Sequence, residues 1–177
     1  MSWPNKEDYE ALSKLSKETL LALFFLQIKN LWRVDGLYFL GIEEEVDTET
    51  ATRIDANCWR TMGKLEARQL KKTLGIKETD VAALIETLRH TSWALYQTEK
   101  ESTASAEKGT FLVTRCRTQE TRLNRGLGEF PCRNVRLGYL ESFTEEFNSE
   151  IHVDCKSCPP DPHVNDVWCK WEFTLRK

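Results

Sequence analysis

The sequence predicts one α+β domain, in which N-terminal helices pack on a small antiparallel sheet and a further helix lies between two C-terminal hairpins. Its 177 residues are enough for a single core. Apolar residues recur every three or four positions up to about residue 90, as in helices, and alternate with polar residues in several later stretches, as in strands. We therefore expect a helical part, residues 1–90, and a Cys-rich part with sheet and helix, residues 91–177.

The first long helix is predicted to follow Ser16, whose hydroxyl suits an N-cap. Its apolar residues form a wide stripe of Leu20, Leu23, Phe24, Ile28, Leu31 and Trp32. Asp35 and Gly36 come next, and this pair is typical of a turn, so we expect the helix to end there.

Two more helices are predicted before the sheet. The second spans residues 48–74 and ends at Gly75, which suits a left-handed C-cap. Its packing residues are expected to be Ile54, Cys58, Met62, Leu65 and Leu70. The third begins at Thr79 or Asp80 and leads into an aromatic extended stretch, residues 90–97.

The Cys-rich part is predicted to contain two hairpins separated by helices. Its elements, in order, are a strand at 92–99, a turn at 107–109, a strand at 111–116, a short helix at 118–125, a helix at Pro131, and strands at 151–154 and 167–175. Pro131 suits the first turn of a helix because its φ is already helical. In the last strand, Cys169, Trp171 and Phe173 fall on one face.

Charge and hydropathy exclude two classes of partner. The 25 basic and 28 acidic residues give a net charge of −3, which offers no footprint for nucleic acid. The longest apolar run, residues 20–26, is far shorter than the roughly 20 residues that cross a bilayer. The first residues also lack the pattern of a secretion signal, so we expect a cytoplasmic protein with no membrane partner.

The main chemical signal is the set of six cysteines, because clustered thiols in a reducing compartment are typical of metal sites. Cys155 and Cys158 form a CxxC pair that can bind one tetrahedral ion. Pairing of the last two strands would bring Cys169 to the same end of the sheet. Cys132 follows Pro131 at a helix N-terminus, where a thiolate is favoured. We therefore predict a closed zinc site formed by these four cysteines.

Other interpretations of the cysteines stay open. A CxxC pair can be a redox dithiol, buried cysteines can be inert, and iron or an iron–sulfur cluster fits the spacing less well than zinc. Cys116 is a reactive thiol, a substitute ligand or a strand residue facing the core, and Cys58 is expected in the core. His152 and His163 are near enough in the sequence to replace a cysteine ligand.

A resemblance to a known family rests on four stretches of the sequence: RCRTQE, FPCRNVRLGYLESF, IHVDCKSC and DVWCKWEFTL. They make residues 110–175 similar to the vinyl-4-reductase domain, a small-molecule-binding fold related to trafficking-complex subunits and to haem-based gas sensors. The resemblance implies a metal that ties the C-terminal hairpin to the helix, with Cys155 in the place of a glutamate ligand. The loop between Cys158 and Cys169 is longer and richer in proline than in that family.

The whole chain, including ALFFLQIKNLWRVDGLYFLGIEEE, also resembles uncharacterised cytosolic prokaryotic proteins. That group is adjacent to the L-2-amino-thiazoline-4-carboxylic acid hydrolase-like proteins. This second resemblance implies a hydrolase of a small cyclic amide or thiazoline-like compound as one possible activity.

The favoured function is a metal-stapled domain that binds a small apolar or aromatic molecule. Pockets of this kind are lined by aromatic side chains, here Trp32, Tyr38, Trp59, His90, Trp93, Tyr96 and Phe111. Packing in the core is the competing interpretation of every one of these residues.

Two other functions compete with it. As a hydrolase, the protein would use Cys116 as nucleophile and Glu43, Glu44 or His90 as base, since a closed four-cysteine zinc activates water poorly. The run Glu43–Glu45 is a solvated turn or a second, oxygen-ligand metal site. As an interaction protein, the chain would form a homodimer through the apolar stripe of residues 20–32.

Overall fold

The computed structural model describes residues 4–164 and 166–176 and confirms the α+β fold. Its elements, in chain order, are α1 (Lys6–Ser13), α2 (Lys17–Glu45), α3 (Thr48–Leu74), α4 (Val81–Leu88), α5 (Ser92–Tyr96), β1 (Glu99–Ala104), β2 (Lys108–Arg115), α6 (Arg117–Leu123), α7 (Cys132–Phe147), β3 (Ile151–Ser157) and β4 (Cys169–Leu175). The chain divides into two compact units, residues 1–38 and residues 39–177, with the boundary inside α2.

The first unit contains α1 and most of α2. Ser16 precedes α2, and its Oγ accepts a hydrogen bond from the backbone N–H of Thr19 at 3.2 Å, as the N-cap prediction requires. The predicted break at Asp35 and Gly36 is wrong, because α2 continues to Glu45. A glycine inside a helix costs only about 1 kcal/mol, so one glycine among apolar helical residues does not end it.

The bounds of α3 agree with the sequence prediction. Asp47 caps its start by accepting a hydrogen bond from the backbone N–H of Thr50 at 2.6 Å. Gly75 ends it with a φ of 64°, a left-handed conformation that costs glycine nothing and other residues a steric clash.

The face that α3 buries is not the predicted one. The buried residues are Ala51, Trp59, Gly63 and Ala67, whereas Ile54, Met62 and Leu65 are 37–43% exposed and Cys58 is exposed as well. The reason is the close approach of α7, since a Cβ on Gly63 would overlap Ser142 Oγ and the carbonyl oxygen of Tyr139. Small side chains permit this approach, and apolarity alone does not reveal them.

The sheet has strand order β1-β2-β4-β3, and every neighbouring pair is antiparallel. The predicted hairpins form as β1 with β2 and β3 with β4, and pairing of β2 with β4 joins them into one sheet. One face of this sheet is buried, with Phe111 opposite Trp171 and Val153 opposite Phe173. α7 packs against α3 and β3, while α4 packs against β1 and β2.

Residues 92–99 do not form the predicted strand. Ser92–Tyr96 is the short helix α5, because the side chain of Thr91 caps it by accepting a hydrogen bond from the backbone N–H of Ala94 at 3.2 Å. The partner of β2 is therefore β1, residues Glu99–Ala104. Pro131 occupies the N-cap position of α7, one residue before the predicted place, so that Cys132 is the first helical residue.

Arg122 fixes the loop between α6 and α7. Its guanidinium forms a bidentate ion pair with Glu43, with N···O distances of 2.9 and 3.0 Å, and also donates to the backbone oxygens of Leu127 and Gly128. Both charged side chains are at most 16% exposed. These hydrogen bonds from Arg122 lower the pKa of Glu43, which is thereby held as a structural anion.

Candidate metal centre

Four cysteines meet around the side chain of Cys158. The side chains of Cys132, Cys155 and Cys169 lie close enough to Cys158 to raise the pKa of its thiol. Cys132 begins α7, Cys155 lies in β3, and Cys169 begins β4. These are the four residues from which the sequence predicts a zinc site.

Local structure explains why these cysteines converge. The register of the β3–β4 hairpin shifts between Cys155 and Ser157, where β3 carries an irregularity. The chain after Cys158 then turns towards α7, and the carbonyl oxygen of Pro159 accepts a hydrogen bond from the backbone N–H of Arg133 at 2.8 Å. An ion pair between Arg133 and Asp161 joins the same two segments. The start of α7 and the hairpin are therefore tied together beside the sulfurs.

Interactions among the cysteine side chains shift their pKa values in opposite directions. The bond from Cys158 lowers the pKa of Cys132 to about 7, and Arg136 contributes in the same direction against the effect of burial. Cys158 lowers the pKa of Cys155 as well, with help from Arg133. The side chains of Cys132, Cys155 and Cys169, together with burial, raise the pKa of Cys158 well above its ordinary value. Near neutral pH the group therefore contains thiolate character, which metal binding requires.

The arrangement is centred on the sulfur of Cys158, which is fully buried. Within residues 4–164 and 166–176, no group of three or more His, Cys, Asp or Glu side chains has the geometry to hold a metal ion as it stands. The chemistry of the side chains nonetheless fits zinc, because four cysteines can supply four thiolate ligands. The neighbouring cations Arg133 and Arg136 offset the negative charge that would result.

Arg136 is the residue of this site that the sequence reasoning missed. It lies one helical turn after Cys132 and is 3% exposed. Its guanidinium lies over the rings of Trp59, Trp93 and Tyr139, at 5.3, 4.8 and 4.9 Å from their centroids. Aromatic faces stabilise a buried cation in this way. The spacing of four residues between Cys132 and Arg136 was the available signal.

The predicted aromatic residues are only partly brought together. Trp93 packs on Phe111 with ring centroids 5.0 Å apart, and Trp59 packs on Tyr139 at 5.8 Å, so these residues form an aromatic cluster around Arg136. His90 is exposed and bonds the carbonyl oxygen of Glu86, and Tyr96 lies under Arg117. In the first unit, Trp32 is buried and Tyr38 is 73% exposed.

The other predicted chemical groups have separate surroundings. Burial raises the pKa of Cys116 to about 12, and Cys132 and Cys169 add to this effect, so Cys116 is a thiol beside the four-cysteine group. A thiol is a weaker nucleophile than a thiolate. His152 contacts Asp154 and Arg176, and His163 contacts Glu129.

The fold and the site together define a small α+β domain with a partly buried group of cysteines between one helix and the C-terminal hairpin. The chain belongs to a family of unknown function (DUF6125), which matches residues 13–175. None of the described helices is both long enough and apolar enough to cross a membrane.

One solved structure shows the same fold at low sequence identity. It is a trafficking protein particle complex subunit 3 from Naegleria fowleri, covalently bound to palmitic acid, with a TM-score of 0.54 and 10% identity over 86% of this chain and 96% of that one. No curated protein matches the sequence. The comparisons give no support to the resemblance to the vinyl-4-reductase domain or to the thiazoline hydrolase-like proteins.

Proposed function

We propose that this protein is a zinc-stapled domain that binds a small molecule. The observation that carries the proposal is the contact of Cys132, Cys155 and Cys169 with Cys158, because these residues come from one helix, two strands and a loop. Four thiolates are the donor set of a structural zinc site. Bound zinc would supply a cross-link between α7 and the β3–β4 hairpin.

Charge balance supports zinc over the alternative of inert thiols. A divalent ion with four thiolates carries two net negative charges, which is costly in a buried place unless cations lie close by. Arg136 and Arg133 are such cations, and each acts directly on one of the predicted ligands.

The small-molecule part of the proposal is supported by the aromatic cluster. Arg136 occupies the faces of three of its rings, so a ligand would have to approach from another side. A cleft of about 480 Å³ in the second unit has Phe111 of this cluster among its lining residues, together with Arg89 and Thr114. A volume of this size is in the usual range for small-molecule sites.

The test of the zinc proposal is metal analysis of protein purified without oxygen. We expect about one zinc per chain in the wild type and in the Cys58→Ser variant, since Cys58 is exposed on α3. The Cys155→Ser variant, which lacks one predicted ligand, should contain almost none. If the wild type contains iron and not zinc, the four-cysteine site stands and only the identity of the metal is wrong. A metal-free wild type would overturn the proposal.

A homodimer is the second function that a specific observation favours. Six apolar residues between Leu20 and Leu26 in the first unit are 36–49% exposed, and neighbouring helical positions point in different directions. The exposed apolar side chains continue along the helix to Leu31, Val34, Leu37 and Tyr38, which are 46–73% exposed. We propose that a second copy of this chain covers them.

Sedimentation of the protein over a range of concentrations tests the dimer. The wild type should sediment as a dimer at micromolar concentration, and Phe25→Glu should shift it to the monomer, because a carboxylate in an apolar interface is costly. Lys77→Glu, a charge reversal at an exposed lysine outside the first unit, is the control and should remain dimeric. A wild type that stays monomeric at high concentration would contradict the proposal.

A further inference from the structure

The second unit contains a cleft that the metal site and the aromatic cluster do not use. It is about 740 Å³ in volume and lies between α3, α7 and β3, with Arg176 also on its wall. This volume is in the range of small-molecule sites.

One wall of the cleft presents a row of cations. Arg60, Lys64 and Arg68 follow each other at four-residue spacing and therefore lie on one face of α3. Arg68 uses both carboxylate oxygens of Glu146, with N···O distances of 3.0 and 3.2 Å.

Among the described residues, the carboxylate partners of the other two cations lie near the distance limit of an ion pair. Lys64 is 4.0 Å from a Glu146 oxygen that Arg68 already occupies, and Arg60 is 3.9 Å from Glu141. Their side chains are 58% and 60% exposed. The lining of the cleft has four Arg or Lys side chains and two carboxylates, Glu141 and Glu145, so it carries a net positive charge.

A buried hydroxyl group borders the same cleft without a hydrogen-bond partner. Thr144 in α7 is 1% exposed, and its Oγ1 forms no hydrogen bond in the described parts of the chain, 4–164 and 166–176. By contrast, Thr87 is equally buried in α4 and donates its hydroxyl to the carbonyl oxygen of Ala83 at 2.7 Å. An unmatched buried hydroxyl is costly, and a ligand atom in the cleft would remove that cost.

The floor of the cleft is apolar. Ile151 and Val153 from the buried face of β3 line it and are 6% and 5% exposed, and Leu65 of α3 lies beside them. Cations at the rim with an apolar floor favour a ligand that has both an anionic and an apolar part.

We propose that this cleft binds a small organic anion. Lys64 and Arg60 hold its phosphate or carboxylate group, its apolar body lies on Leu65, Ile151 and Val153, and a polar atom reaches the hydroxyl of Thr144. The proposal does not depend on zinc, because none of these residues is among the four cysteines or their contacts.

The experiment is a calorimetric titration of the full chain with 1-naphthyl phosphate, at moderate ionic strength. We expect saturable binding to one site, and Lys64→Gln should weaken it about tenfold, which is the usual effect of losing one charged hydrogen bond. Lys72→Gln is the matched control, since Lys72 is an exposed lysine at the end of the same helix and outside the cleft. It should bind like the wild type.

Two further measurements identify which part of the ligand is recognised. Thr144→Val, which has nearly the same shape, should weaken binding several-fold while leaving the circular dichroism spectrum unchanged. Inorganic phosphate and 1-naphthol should each bind far more weakly than the combined molecule. Equal binding of 1-naphthyl phosphate by the Lys64→Gln and Lys72→Gln proteins, or equal affinity for inorganic phosphate, would overturn the proposal.

Discussion

Replacing Cys158 with serine is expected to abolish zinc binding and to lower the melting temperature by about 10–20 °C. Cys158 is fully buried and is the residue that the other three cysteines contact. Loss of a structural zinc site removes several kcal/mol of folding free energy, and roughly 1 kcal/mol shifts the melting temperature of a chain this long by about 2–4 °C. Differential scanning calorimetry under reducing conditions measures the shift.

Two controls distinguish the stability lost with the metal from the stability lost because the buried sulfur atom is replaced. Cys58→Ser, at an exposed position of α3, should melt within about 1–2 °C of the wild type. A strong chelator should lower the melting temperature of the wild type towards that of Cys158→Ser and leave the variant unchanged. If the chelator has no effect on the wild type, zinc does not stabilise this fold.

The second large effect is expected from Gly63→Ala, which should destabilise the protein by about 3 kcal/mol. The added Cβ would overlap Ser142 Oγ and the carbonyl oxygen of Tyr139, and the nitrogen of Phe143 is 3.2 Å away. Two of these three atoms belong to the backbone of α7, so a rotamer change cannot relieve the overlap, and α3 and α7 must separate. Urea unfolding followed by circular dichroism gives the change in the free energy of unfolding.

Gly41→Ala is the matched control for this prediction. Gly41 lies in α2 in the second unit, and a Cβ there would have no atom within 4 Å. Alanine favours helix over glycine by about 0.5–1 kcal/mol, so this variant should be slightly more stable than the wild type. A Gly63→Ala protein as stable as Gly41→Ala would mean that the two helices are not in close contact.

Local signals predicted the elements that local chemistry controls. Asp47 and Gly75 gave the ends of α3, and alternation gave the buried face of β4, because caps and alternation depend on residues close in sequence. The end of the first long helix, the nature of residues 92–96 and the buried face of α3 were predicted wrongly. Each depends on contacts or capping bonds that apolar spacing does not show.

In the candidate site, too, the sequence predicts what local motifs determine and misses what tertiary contacts determine. The CxxC motif and the pairing of the last strands led to Cys132, Cys155, Cys158 and Cys169, which the structure brings together. Arg136 was missed because its position inside a ring of aromatic side chains is set by residues from α3 and α5. The buried hydroxyl of Thr144 has no sequence signature, since an identical threonine in α4 is fully bonded.

The bonds of Arg122 have a consequence for how this chain can change over evolutionary time. One guanidinium holds the backbone oxygens of Leu127 and Gly128 and pairs with Glu43, while Gln119 and the buried ring of Phe130 hold the end of the same segment. Doubling the length of a flexible loop costs only about 0.6 kcal/mol. Insertions near Gly126 should therefore be tolerated in relatives that keep this arginine and its carboxylate partner, and rare in those that lose either.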